Sequence, residues 1–194
     1  YDTYLETHHK VSKKKEGKRK KTSLNSVKVL KICTQINGEL EQRQKIFVLL
    51  RVVEYVNIGP EPTEQELEFV DTVSDVFNIP AEELADIKRF VQCSVDNIED
   101  TSKILLVTSN PDVPGYTHVK HIENETMNGT LTVISVESVG MYALKYFGTE
   151  ELLLNGQIID PERVYILTQG SSIRSSKVNP IYYSDIISRY LTDK

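Results

Sequence analysis

Residues 96–109, DNIEDTSKILLVTS, mark the point where the chain changes its hydrophobic period. Ahead of this stretch apolar residues return every three or four positions, the spacing of one helix face. From Lys103 onward they alternate with polar residues and are rich in β-branched types, the pattern of half-buried strands. The switch predicts an α+β chain: an all-helical bundle over residues 1–97 and an all-β sandwich or small barrel over 102–191, divided near 97–102.

Working back from that point, four helical segments are expected. Pro80 opens the last, which carries Leu84, Ile87 and Val91 to about Cys93. Before it, Thr63 and Glu66 have capping-box spacing at the start of a helix with the stripe Leu67, Val70, Val73 and Phe77. KIFVLLRVVEYV, residues 45–56, is apolar nearly all round and reads as a central, buried helix. Ser23 can cap the first of the four, with Leu24, Val27, Leu30 and Cys33 or Ile36 on one side and Gly38 at its end. The opening residues YDTYLETHH place Tyr1, Leu5 and His8 or His9 at helical spacing without a cap, as in a truncated helix that began upstream.

Forward of the switch, strands are expected at 103–109, 118–123, 129–137, 141–147, 151–155 and 163–168, with a last extended piece at IYYSDI, residues 181–186. Asn128-Gly129, Gly140, Gly148 and Asn155-Gly156 punctuate them.

Charge is unevenly spread. Residues 10–21 hold eight Lys or Arg and one acid, a net of +7, whereas residues 39–100 carry a net of −10. The segment KKKEGKRKK could meet nucleic acid, acidic lipid or an acidic partner. It contains no aromatic residue to stack on a base, so a solvated basic loop over 10–22, able to lie against the acidic helical body, is the better reading and no nucleic-acid partner is expected. No apolar run reaches the roughly 18 to 20 residues of a membrane span. Cys33 and Cys93 lack any paired spacing and read as core residues of a reducing, cytoplasmic compartment. Asn124-Glu-Thr126 and Asn128-Gly-Thr130 fit the glycosylation pattern, which matters only in a secreted protein.

Two clusters could bind ligands. Glu64, Glu68, Asp71 and Asp75 follow one another at i, i+4, i+7 and i+11, a row of carboxylates that could hold a divalent metal or simply face water. In GSSIRSSKVNPIYYSDI, residues 170–186, Arg174 with Ser171, Ser172 and Ser175 could cradle a phosphate or a phosphopeptide. The alternative is a glycine turn with Ile173 in the core. A strand precedes this stretch and an extended piece is expected after it, so it is not a P-loop. His118 and His121, three apart on a strand, point to opposite faces and do not share a metal. No nucleophile, zinc or Walker motif occurs in the sequence, so the chain itself is not expected to be an enzyme.

ELEFVDTVSDVFNIPAEELADIKRFV, preceded by KIFVLLRVVEYV, resembles TerB-like helical domains, and ELLLNGQIIDPERVYILTQGSSI resembles the end of a forkhead-associated (FHA) domain. In order, YLETHHK, NSVKVLKICTQIN, FNIPAEE, YFGTEELLLNGQ and GSSIR with PIYYSDI look like the N-terminal region of ABC-transporter ATP-binding proteins typical of the Bacteroidetes. That resemblance implies a non-catalytic regulatory region at the inner face of the membrane, reaching the bilayer only through the parent protein. ATP, Mg and the Walker motifs would belong to a domain beyond Lys194, and the partners would be the transporter's other domains or a further protein. The TerB likeness implies a metal-binding option, although the turn GPEPTEQE replaces that family's aspartate-rich form. The FHA likeness implies phosphothreonine binding, although residues 101–150 show no clear counterpart of the Gly-Arg and Ser-x-x-His elements those domains use.

Overall fold

The computed structural model describes residues 26–192. The expected helix over 1–9, the basic loop over 10–22, the paired histidines His8 and His9 and the Ser23 cap lie outside the described residues. The chain is α+β, helices first and strands after, and forms two compact units that meet between Leu84 and Ala85.

In the first unit, α1 covers residues 26–36, followed by α2 (Gln42–Val56) and α3 (Glu64–Val76). The Gln44 side chain accepts the Glu41 N–H at 2.8 Å at the start of α2. The expected capping box opens α3: Thr63 Oγ1 accepts the Glu66 N–H at 3.3 Å, and Glu66 Oε2 accepts the Thr63 N–H at 2.9 Å. Gly38 does not adopt the left-handed conformation expected of a helix-ending glycine; the N–H groups of Glu39 and Leu40 close the turn on the Ile36 carbonyl. The core is formed by Cys33, Ile46, Leu49, Leu50, Val53, Val70, Val73 and Phe77. Leu67, expected in the stripe of α3, is exposed, and Ser74 is buried in the turn below.

The division falls inside α4 (Ala81–Gln92), earlier than the 97–102 boundary read from the sequence. The period changes near residue 100, but the packing changes sooner. From Asp86 onward the helix is tied to the strands: Asp86 accepts from Lys103 Nζ at 2.5 Å, and the Val91 carbonyl accepts from Lys145.

The second unit contains two sheets. β1 (Ile104–Thr108), β2 (Lys120–Glu123), β3 (Thr130–Val136), β4 (Met141–Phe147) and β7 (Tyr165–Leu167) make one, in the order β2-β1-β3-β4-β7. β1 and β2 are parallel, with Leu105 opposite Lys120, and the other pairings are antiparallel. β5 (Leu153–Leu154), β6 (Gln157–Ile158), β8 (Ser172–Arg174) and β9 (Ile181–Tyr182) form the second, in the order β6-β5-β8-β9. Gly129, just before β3, has φ +115°, and a Cβ there would lie 2.4 Å from the Phe147 carbonyl oxygen, so only glycine lets β3 and β4 start their pairing so closely.

IYYSDI is not a strand. Only Ile181 and Tyr182 are extended, and α5 runs over Tyr183–Leu191. Asp185 Oδ2 accepts the Tyr182 N–H at 2.9 Å, and Arg189 stands in the last turn, so both ends carry the charge that favours a helix. The apolar pair Ile186 and Tyr190, four apart, buries one face. The unit is therefore not all-β. Its main core lies between the two sheets and α5, with Leu105, Val107, Leu131, Val133, Leu144 and Tyr146 from one sheet against Leu154, Ile173, Ile181, Ile186 and Tyr190. The Tyr190 hydroxyl lies 3.1 Å from the Lys103 carbonyl and 3.0 Å from that of Val133, pinning α5 to β3 and the start of β1, and burial pushes its pKa well up.

The alternate residues of the same strands face the other way and are buried as well: Ile104, Leu106, Thr132, Ile134, Ala143 and Lys145. Phe90, Cys93 and Ile98, from the last turns of α4 and the segment after it, meet this face. The five-stranded sheet is thus a middle layer, which is why β1 is buried at every position. Lys145 is the exception in an apolar surface. It is 2 % exposed, and its ammonium donates to the carbonyls of Val91 at 2.9 Å and Cys93 at 2.8 Å, groups that the end of α4 leaves without helical partners. The same nitrogen lies 5.1 Å from the centre of the Phe147 ring.

Replacing Lys145 by Met keeps the length and removes the donor, stranding the buried Cys93 carbonyl and the part-buried Val91 carbonyl. Lys145→Met is expected to lose about 2–4 kcal/mol, read as a lower urea midpoint with an unchanged slope; a midpoint equal to wild type would show that the carbonyls find other donors.

Candidate interaction site

In α2, Ile46, Leu49, Leu50 and Val53 face the core, while Phe47, Arg51 and Tyr55, at i, i+4 and i+8, lie along another side. The helix is therefore not the fully buried one expected from its composition: Phe47 is 42 % and Tyr55 70 % exposed. Both sides of α2 are apolar, and the helices of the described residues cover one of them. The second lines a groove of about 360 Å³ with Val29 of α1, Val48, Val52 and Val56 of α2, and Phe69 of α3. Arg51 places its guanidinium 5.1 Å from the Phe47 ring centre and pairs with Glu54 at 2.5 Å, so its charge is partly masked along the groove. Glu66, at the rim, is held by its cap bonds to Thr63. Val27 and Leu30 extend the apolar surface along α1 toward Thr72.

Glu64, Glu68, Asp71 and Asp75 lie on the exposed side of α3. Among the described residues no three His, Cys, Asp or Glu side chains come together in a way that could hold a metal ion. The row gives this helix a surface of carboxylates facing solvent.

Two of the serines around Arg174 bond main-chain N–H groups through their hydroxyls. Ser171 is buried; its Oγ accepts the Thr168 N–H at 3.0 Å and lies 3.4 Å from Asn155 Nδ2. The Ser172 N–H is bound by Asn155 Oδ1 at 3.0 Å, and Ser175 Oγ accepts the N–H groups of Lys177 and Val178, each at 3.1 Å. Ile173 fills the core, as the turn reading expects, although Ser172–Arg174 is itself a strand, paired with β5 and β9. Arg174 remains exposed, opposite Leu153.

The two histidines go separate ways. His121 Nε2 lies 3.0 Å from Thr108 Oγ1, and burial draws its pKa down. His118 belongs to a small anchor that the sequence did not reveal. Asp100 accepts the N–H groups of Thr117 (3.0 Å), His118 (2.8 Å) and Val119 (3.0 Å), the Thr117 hydroxyl (2.7 Å) and His118 Nδ1 (3.2 Å). The Thr117 hydroxyl, then the main-chain donors, hold its carboxyl well below the usual carboxylate range. This anchor fixes the entry into β2. Asn124 also has a structural place: it is buried, and its amide donates to the Asn179 carbonyl at 3.0 Å, so the folded chain does not offer it for glycosylation.

Beneath α4 a cavity of about 170 Å³ is floored by Thr132 and Ile134 and edged by Asp86, Arg89, Glu99 and Lys103. These edge charges are engaged with one another: Asp86 with Arg89 and Lys103, Arg89 with Glu99 at 2.7 Å. Thr132 Oγ1 is buried with no hydrogen-bond partner among the described residues. No described helix is long and apolar enough to cross a membrane.

Compared with family models, with curated proteins and with solved structures, the chain matches none.

The Asp100 anchor makes a pH-dependent contribution. A carboxyl whose folded pKa is depressed stabilises the fold above its unfolded pKa of about 3.9 and loses that contribution as pH falls through the folded value. The Tm of Asp100→Asn is therefore expected to fall below wild type at pH 6–7, with the gap narrowing as the pH is lowered below about 4. A gap independent of pH would show that the charge is irrelevant.

Proposed function

We propose that the chain is a non-catalytic protein-interaction region that presents the apolar groove of its helical unit to a partner. The observation that carries this reading is that groove: Phe47, Val48, Val52, Tyr55 and Phe69 side by side at the surface of a small helical unit. Exposed apolar surface that is contiguous and rimmed by charge is the mark of an interaction site. The ordered motifs described above support the accessory region of an ABC-transporter ATP-binding protein at the inner face of the membrane, whose other domains would supply the partner surface. The helical unit is then the TerB-like part and the two-sheet unit the FHA-like part. Nucleotide chemistry belongs to the parent protein in this reading.

The purified chain is expected to bind and hydrolyse no ATP; ATPase activity that survives exhaustive purification would overturn the non-catalytic reading. The separately produced remainder of the parent protein is expected to bind it, with affinity falling at least tenfold in Phe47→Glu with Tyr55→Glu. Unchanged affinity would remove the groove from the proposal.

A second reading, a phosphopeptide sensor, is favoured only by Arg174, an exposed cation on β8 with neighbouring hydroxyls. With the hydroxyls of Ser171 and Ser175 committed to the backbone, one arginine makes a weak anion site. Phosphothreonine peptides are expected to bind wild type and Arg174→Ala equally poorly. Tight binding lost in the variant would establish the sensor.

A further inference from the structure

The cavity beneath α4 lies wholly within the second unit, and the reading of the helical groove makes no use of it. We propose that this cavity is a binding site for a neutral, single-ring molecule that carries one hydroxyl, a phenol in chemical class, with the Thr132 hydroxyl as its hydrogen-bond partner. This adds a small-molecule site to a chain otherwise read as binding protein.

Three observations point to such a ligand. The first is a stranded hydroxyl. Thr132 is fully buried on the floor of the cavity, and its Oγ1 has no hydrogen-bond partner among the described residues. Its neighbours across the ladder explain why. Leu106 on β1 is apolar, and Lys145 on β4 directs its ammonium to the Val91 and Cys93 carbonyls. The Cys93 thiol, also on the cavity wall, donates to the Phe90 carbonyl at 3.1 Å. A hydroxyl can donate once and accept twice, and burying it unpaired is costly enough that native proteins seldom do so. Val would suit the pleated β3 at least as well, so the fold itself has no use for a hydroxyl here.

The second is size. The cavity holds about 170 Å³, close to the roughly 150 Å³ of an engineered apolar cavity that takes up benzene. Protein interiors are otherwise close-packed, and this volume is far more than one water needs. Phe90, Ile98, Ile104 and Ile134 give a six-membered ring apolar walls. Such walls hold water poorly, since a buried water needs roughly two to four polar partners.

The third is charge. Asp86, Arg89, Glu99 and Lys103 at the edge are two carboxylates and two cations, engaged with one another. The edge thus offers no net charge to an ion and suits a neutral molecule. The Arg89 and Glu99 side chains are 49 % and 43 % exposed, so the way in runs past their pair.

The test titrates phenol and benzene separately into the purified, isotope-enriched chain and follows its amide signals. Phenol is expected to bind saturably, with a Kd of about 1 mM or tighter, and to shift Thr132, Ile134 and Ile98. In Thr132→Val the affinity for phenol relative to benzene is expected to fall about fivefold, the worth of one hydrogen bond. Taking the ratio cancels the ring burial that the two probes share. Urea unfolding gives an independent measurement: Thr132→Val is expected to have a midpoint at or above wild type, because it removes an unpaired hydroxyl. No saturable shift at the cavity residues would leave the cavity to water and overturn the proposal. Shifts confined to Val48, Val52 and Phe69 would put the probe in the groove of the helical unit, with the same consequence. So would a phenol-to-benzene ratio unchanged in Thr132→Val. A midpoint well below wild type would overturn it too, by showing that the hydroxyl already has a partner in the fold.

Discussion

The second unit is organised by the contact between one buried ammonium and the end of a helix. The five-stranded sheet must be covered on both faces, and the second sheet with α5 covers one of them. The other is met by the last turns of α4, whose final carbonyls point at the sheet and need donors. Lys145 supplies them from β4, the strand bound to β3 on one side and β7 on the other. The charge is tolerable there because it is hydrogen-bonded and beside an aromatic face. Asp86 and Arg89 of α4, paired with Lys103 and Glu99, tie the helix to the segment that leads into β1. These are partly exposed pairs that fix position more than they add stability.

The helical unit meets the opposite constraint. Among the described residues, three helices and the start of a fourth bury one side of α2, and an apolar second side remains at the surface. The feature that weakens the unit as an isolated body is the one from which its interaction role is proposed.

The order of helices and strands was legible in the sequence because period is a local property, and the Thr63–Glu66 cap was legible because its spacing is fixed by the helix itself. The extended piece expected at IYYSDI was extended only at Ile181 and Tyr182 and helical after them, because six residues do not distinguish the two periods; the deciding partner, Tyr190, lay four residues beyond that window. The site was less legible. The all-round apolar composition of α2 did carry the signal for Phe47 and Tyr55, yet it was equally compatible with burial, and only the number of covering elements decides between the two. Lys145 left a trace as the charged member of the alternating set Met141, Ala143, Lys145 and Phe147. Asp100 left none, since its ligands are mostly main-chain N–H groups brought together by the turn at 116–119. Likewise the hydroxyls of Ser171 and Ser175 looked available because a turn of Ser, Gly and Asn does not announce which hydroxyls will bond the main-chain N–H groups two or three residues away.

The hydroxyl of Tyr190 touches carbonyls that stand 87 and 57 residues before it in the chain. Such separations set the order in which the unit can be completed during synthesis. β1, β3 and β4 can pair early, but the core between the sheets stays open until α5 has left the ribosome. A growing chain therefore carries the apolar inner face of its five-stranded sheet unprotected until Tyr183–Leu191 has been made, and α5 is the element that ends that exposure.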